Sequence, residues 1–273
     1  MMIWGISWPV SKILSKEANY DTILFWRFFI TTIIYLPVLF ITKQKPNLSK
    51  NSVYSILKGT VAIIIYNILF FSGVTEGLPG LGGVLTTSLN PLFNFLIVAI
   101  ITKNKISGLK LFGLFTGFIG GMIILQVWKF TPSELLKGAN TYFILASITW
   151  AFLSIFTASS KDSISAISYG FFIHLVASIF FLLQGYKDIH FTNFSNTFWY
   201  SILYVSGIST VFGTTMYFYA STKLGSAQAS SFIFLVPVSA LLSSWFLLKE
   251  LPQTTTIIGG LLAILAVYKI NRK

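Results

Sequence analysis

Apolar runs of about twenty residues, separated by short polar loops, follow one another along the whole chain. They fall near 1–15, 22–42, 54–75, 80–101, 109–128, 140–159, 164–185, 196–219, 226–248 and 254–271. A helix needs about 20 residues to cross about 30 Å of hydrocarbon. The pattern therefore predicts an all-α integral membrane protein with ten transmembrane helices and no soluble domain. Spans of a membrane β-barrel would be shorter and would alternate polar with apolar residues; these runs do neither. Only 10% of the residues are charged, against about 25% in soluble domains, too few to cover a water-facing surface. The first run reaches Trp4 and Gly5 almost at once. That suggests a chain beginning inside its first helix, with a short, tilted helix as the alternative. The run lacks the basic start and small-residue cleavage site of a signal peptide.

The net charge of +12 would suggest nucleic acid in a soluble protein, but here the lysines mark topology. With the N-terminus inside, twelve Lys and Arg residues fall in inner loops, among them Lys43, Lys45, Lys103, Lys161 and Lys273. Five fall in outer loops: Lys16, Lys129, Lys137, Lys187 and Lys249. Positive charge collects on the cytoplasmic side, so both termini are expected there, in a bacterial inner membrane, with no nucleic-acid partner. Cysteine is absent, which removes disulfides, thiol nucleophiles and thiolate metal sites.

The two halves resemble each other. Pro91, Lys103 and Gly113 are matched by Pro237, Lys249 and Gly259, each 146 positions further on. Five helices per half is an odd number, so equivalent helices must cross in opposite directions. Inverted repeats are a transporter design, with the solute site near the midplane between them. The expected division is 1–128 for the first repeat, 129–139 for a linker and 140–273 for the second. Within the linker, Thr131-Pro132-Ser133-Glu134 reads as a capping box with proline at the first helical position, opening a short interfacial helix that Gly138 stops.

Several stretches together resemble the drug/metabolite transporter superfamily, and within it the ten-helix EamA-type permeases. They are Trp4-Gly5 followed by Lys12, Arg27 in FWRFFI, PLFNFLIVAI from Pro91, VPVSALLSSWFLLKELP through Glu250 and Pro252, and the glycine-rich fifth and tenth helices. The resemblance covers nearly the whole chain. It implies an inverted-repeat fold whose central cavity is lined mainly by helices one, three, four, six, eight and nine. The chain departs from that pattern at Asn104 and Ile106, which stand where the second half has Glu250 and Pro252.

No Asp or Glu lies in the middle of a span, which argues against the mid-membrane glutamate mechanism of small multidrug antiporters. The unusual charges are cationic, and charged side chains within the bilayer are functional candidates. Lys12 is a candidate for attracting an anionic group of a solute, or for snorkelling to the headgroups. Arg27 is expected to snorkel or to pair with Glu17 or Asp21. The polar and aromatic candidates for solute binding are Trp4 and Trp8 on one face of helix one, Tyr66 and Asn67 in helix three, Asn90 and Asn94 on one face of helix four, Trp150, Tyr217 and Gln228. An aromatic wall with a few amides suits a planar or amphipathic solute such as an amino acid. The alternative is that these residues pack or bond between helices. Pro91 and Pro237 are the candidate hinges. Gly113, Gly117 and Gly121 form a stripe for close helix approach, in the scaffold or in a homodimer. His174 is read as a satisfied interhelical histidine.

A small-metabolite transporter working by alternating access is the expected function, as an exporter, with an uptake permease for a salvaged nutrient as the rival. An intramembrane hydrolase would have to use Gly207-Ile208-Ser209, but His174 and His190 both precede that serine. Zinc hydrolysis lacks an H-E-x-x-H run. No enzyme, cofactor or metal is expected. A noncatalytic assembly or sensor protein is the remaining alternative.

Overall fold

The computed structural model describes residues 1–44, 48–185, 188–191, 194–239 and 253–272. Among them every regular element is helical. In chain order these are α1 (Met2–Glu17), α2 (Tyr20–Ile41), α3 (Lys50–Glu76), α4 (Pro79–Thr102), α5 (Gly108–Leu125), α6 (Pro132–Leu135), α7 (Ala139–Ser159) and α8 (Ala166–Gly185). Next come α9 (Asn196–Leu203), a π-helix (Tyr204–Thr214) and α10 (Thr215–Leu224), which are continuous. The apolar helix α11 is described over Ser226–Ser239 and tightens to a 3-10 turn at Phe232–Phe234. Last is α12 (Thr254–Asn271). Seven of these helices are long and apolar enough to cross a membrane: α2, α3, α4, α5, α7, α8 and α12. Of the others, α1 has 16 residues, the run from α9 to α10 is interrupted by the π-helix, and α11 is described only as far as Ser239. Lys45, Lys187, Lys249, Glu250, Pro252 and Lys273 lie outside the described residues, and with them the second-half loop against which Asn104 and Ile106 were contrasted.

Local chemistry sets the helix starts. Asn19, Ser49 and Ser195 each accept a hydrogen bond from the backbone N–H three residues on, which satisfies one of the orphan donors of a helix start. The expected capping box forms at α6: Thr131 N and Oγ1 both donate to Glu134 Oε2, and Glu134 N donates to Thr131 Oγ1. Those two bonds from Thr131 hold the exposed Glu134 carboxyl below its usual range.

The distribution of polarity is that of a protein in lipid. Large apolar residues such as Phe40, Ile100, Phe115, Leu183 and Leu261 are exposed. Asn67, Asn90, Asn94, His174 and many serines and threonines are buried. Where the surroundings are hydrocarbon, polar side chains are driven inward to find partners, and helices associate through small residues and interhelical hydrogen bonds.

Helix α4 shows both devices. Thr86, Asn90 and Asn94, four residues apart, donate to the carbonyls of Phe143, Ser147 and Ala151 on α7. Equal steps of four on both helices require them to run parallel. Glycines permit the closest approaches. A side chain at Gly117 would collide with Phe234, one at Gly121 with Ser88, and one at Gly113 with Ile270 and the backbone of α12. Gly120 and Gly259 meet backbone to backbone. The glycine stripe is thus filled from within the chain, which leaves it unavailable as a dimer contact. Helix α2 lies on α8, with Phe28 stacked on Phe181 and the Tyr35 hydroxyl bonded to Thr215 Oγ1 on α10 at 2.6 Å. His174 is buried; its Nδ1 bonds the Gly170 carbonyl of its own helix at 2.6 Å, within ring contact of Phe28 and Tyr35.

Candidate functional site

A cavity of about 70 Å³ lies where α1, α2, α3, α4, α7, the π-helix and α11 converge. Tyr66 and Asn90 sit ten or eleven residues from the ends of their helices, at Glu76 and Pro79. At 1.5 Å per residue that is about 15 Å, half the thickness of a bilayer core.

Helix α1 presents Trp4, Ser7, Trp8 and Ser11 to the cavity. The steps of three and four place all four on one face. Two bonds fix the rotation of α1: Ser7 Oγ donates to Ser209 Oγ at 2.7 Å, and Trp4 Nε1 donates to the Ser209 carbonyl at 3.3 Å. The π-helix makes this possible. Its wider turn is held by side-chain bonds that step back five residues, Thr210 Oγ1 to the Val205 carbonyl and Thr214 Oγ1 to the Ser209 carbonyl. Such segments recur at functional sites.

The aromatic wall is built by edge and tilted contacts. Trp4 meets Trp150 edge-on with centroids 5.2 Å apart, Trp150 lies 4.6 Å from Tyr66, and Trp8 lies 4.7 Å from Phe70. These geometries suit the ring quadrupoles and make the wall stiff. Asn90 adds a polar edge. Its Nδ2 is spent on Ser147, and its buried Oδ1 has no partner.

Of the residues singled out from the sequence, Trp4, Trp8, Tyr66, Asn90 and Trp150 line the cavity. Tyr217 stands behind the wall, 5.2 Å from Trp4 and 5.7 Å from Trp150, with its hydroxyl bonded to Ser154. Asn94 is one turn past the cavity on α4, in the bond to α7. Gln228 is partly buried on α11 away from the lining. Lys12 also falls outside it. Its ammonium donates to the carbonyls of Val74, Thr75 and Gly77 at 2.7, 3.0 and 3.1 Å, so all three hydrogens are used in closing the end of α3.

Arg27 behaves differently from the sequence expectation. It pairs with neither acid. Glu17 accepts from Ser195, and Asp21 packs against Gly185. Arg27 instead lies on the buried stripe of Leu24, Phe28 and Thr31 and reaches the cavity wall. One terminal nitrogen donates to Asn67 Oδ1 at 2.8 Å and the other to Thr210 Oγ1 at 3.4 Å. Asn67 is thereby a positioning residue: its Oδ1 holds Arg27 and its Nδ2 is tied to the Ile63 carbonyl.

A second, wider cavity of about 560 Å³ opens at the far end of the bundle, bordered by Gln44, Lys161, Asp162, Tyr219 and Lys223. Thr214 lines the first cavity and its neighbour Thr215 the second.

Long apolar helices, outward apolar faces and a polar-edged aromatic cavity at mid-depth define a multi-pass membrane protein of the carrier type. The chain belongs to the EamA-like transporter family, whose model matches residues 1–126 and again 137–272. Among curated relatives, the "Uncharacterized transporter YyaM" of Bacillus subtilis (strain 168) is 27% identical over 89% of this chain and 81% of its own length. The "S-adenosylmethionine uptake transporter" of Rickettsia conorii is 25% identical over 93% of this chain and 84% of its own length. A solved crystal structure, 13% identical, superposes with a TM-score of 0.75 over 98% of this chain and 93% of that one, and so shares the fold.

Proposed function

We propose that this transporter carries a small amphipathic, amino-acid-like metabolite by alternating access, through ten crossing helices arranged as two inverted halves. The observation that carries the reading is the shared wall. Trp4, Trp8, Tyr66 and Asn90 come from the first half, and Trp150, Val205 and Ser209 from the second. A site built by both halves changes its exposure when they rock against each other. Helical segments at each of the ten apolar runs, and the family match to 1–126 and 137–272, support the two-half arrangement. The second cavity, bordered by Thr215 next to Thr214, supports a thin barrier between opposite entrances. The excess of lysines at the end of the bundle holding Lys43 and Lys161 supports a bacterial inner membrane with both termini cytoplasmic. A noncatalytic role in the chemical sense, with neither cofactor nor metal, accords with this reading.

Outward flux is the first reading of direction. Inward flux is the second, and it has the support of relatives whose names specify uptake of S-adenosylmethionine. The test is counterflow into proteoliposomes with a panel of amino acids and related carboxylates. At least one solute should exchange, and Trp150→Ala, which removes the centre of the wall, should cut its exchange tenfold or more, about 1.4 kcal/mol. Exchange by Trp150→Ala at the wild-type rate would remove the cavity from the pathway. Opposite outcomes in right-side-out and inverted vesicles assign direction.

A further inference from the structure

We propose that Arg27 is the solute-recognition residue for a single carboxylate, and that the transported solute is therefore a monocarboxylate or a zwitterion carrying one. This inference rests on the transport reading above and names the chemical class its site accepts.

The argument begins with the environment of the guanidinium. A charge withdrawn from water is costly unless paired and hydrogen-bonded. Yet every partner of the Arg27 side chain is neutral: Asn67 Oδ1, Thr210 Oγ1 and the face of Phe71, 5.7 Å from the guanidinium carbon. Among the described residues no carboxylate pairs with it. Of the acids nearest to it in sequence, Glu17 accepts from Ser195, and Asp21 lies against Gly185 with a buried Oδ1 that reaches no partner, Arg27 included. Membrane-embedded arginine that served only to tie helices together would be a poor choice, because a neutral amide makes the same two bonds without the desolvation cost.

Counting donors gives the same answer. A guanidinium has five N–H groups in a rigid fork. Two are engaged, by Asn67 and Thr210, which leaves three. Two parallel N–H donors match the two oxygens of a carboxylate. Arg27 is also the only charged residue among the described residues lining the cavity, so one guanidinium faces one negative charge. A doubly charged solute would be left uncompensated. One further polar atom in the wall has no protein partner, the buried Oδ1 of Asn90. Asn90 Oδ1 accepts hydrogen bonds only, so it suits an N–H of the same solute, while the aromatic wall takes its apolar part.

Lys12, the other intramembrane cation, cannot do this work in the described arrangement, since its three hydrogens are committed to backbone carbonyls.

The experiment uses matched probes that differ only in the charge of one group: phenylalanine with phenylalaninamide, and methionine with methioninamide. Binding to purified protein is read by quenching of tryptophan fluorescence, since Trp4, Trp8 and Trp150 line the cavity, and exchange by counterflow. The variants are Arg27→Gln, Arg27→Lys, and Lys105→Gln as a surface-charge control. The expected result is that the wild type prefers a carboxylate to its amide. Arg27→Gln should raise the half-saturating concentration for that acid roughly thirtyfold or more, as loss of a buried charge partner does, and should abolish the preference. Arg27→Lys should restore part of it, and Lys105→Gln should match the wild type. Gel filtration and thermal unfolding confirm that each variant is folded. Equal use of acid and amide by the wild type, or a preference that survives in folded Arg27→Gln, overturns the inference while leaving transport standing. Neither binding nor exchange of any acid or amide by folded wild type counts against the transport reading and removes this inference with it.

Discussion

At residue scale, Lys12 and Arg27 divide the work that their rarity suggested. Both are cations within apolar helices, yet one is saturated by carbonyls and the other is not. Lys12 joins α1 to the end of α3 through three charge-assisted bonds to groups that would otherwise lack partners. Bonds to charged groups contribute about 1.5–3 kcal/mol each and do not add. Lys12→Met should therefore destabilise the protein by about 2 kcal/mol, read as a lowered thermal midpoint in detergent, while any transport that remains keeps its selectivity between acid and amide. Unchanged stability with lost binding would instead return Lys12 to the solute site. Trp4, Trp8, Tyr66, Asn90 and Trp150 could be picked out because aromatic and amide side chains in a membrane helix are conspicuous and helical spacing says which share a face. Ser7, Ser11 and Ser209 carried no such signal, since serines are common in membrane helices. Arg27 was misjudged because α2 is apolar all round, so nothing in its pattern shows which side turns inward.

At the scale of elements, the glycine-bearing helices are specified by contact between backbones. Gly120 and Gly259 bring α5 and α12 together so closely that a methyl group on either would meet the other's carbonyl. Gly259→Val should separate the two helices and cost about 1–3 kcal/mol, the usual range for overpacking. The measurement is thermal unfolding against Leu261→Val, an exposed position two residues on whose midpoint should stay near wild type. Equal midpoints for the two variants would mean that the helices do not pack as described. The close approach itself was legible, because G-x-x-x-G spacing admits few other uses. Which partner filled the stripe was not: Ser88, Phe234 and Ile270 come from parts of the chain that only packing brings near. The π-helix over Tyr204–Thr214 was invisible in the hydropathy pattern, which reads one apolar run across it. Its cause lies in serine and threonine hydroxyls that support a wider turn and in α1 packed against it.

At the scale of the whole molecule, the proposed mechanism requires helices that bend. Pro91 lies inside α4, and Pro237 lies within α11; each removes a backbone hydrogen bond from its helix. Pro91→Ala and Pro237→Ala should each slow exchange several-fold while leaving solute binding, followed by tryptophan quenching, near wild type. Rates and binding both at the wild-type level in the two variants would place the bending elsewhere.

Hydropathy and spacing by themselves determined that this chain is helical and membrane-bound, where most of its described helices begin and end to within a few residues, and which aromatic face α1 turns to its neighbours. Those properties follow from local physics: the apolar length needed to span a bilayer, the capping of helix ends and the period of the α-helix. Only the tertiary structure decided that Lys12 closes a helix end, that Asn94 and Tyr217 support the wall from behind, and that Arg27 faces the cavity without a counter-charge. Each of those depends on helix rotation and on hydrogen-bond partners 40 to 183 residues away. In a chain apolar on every face, rotation is set by packing and hydrogen bonds between helices, and the sequence of one helix contains no record of them.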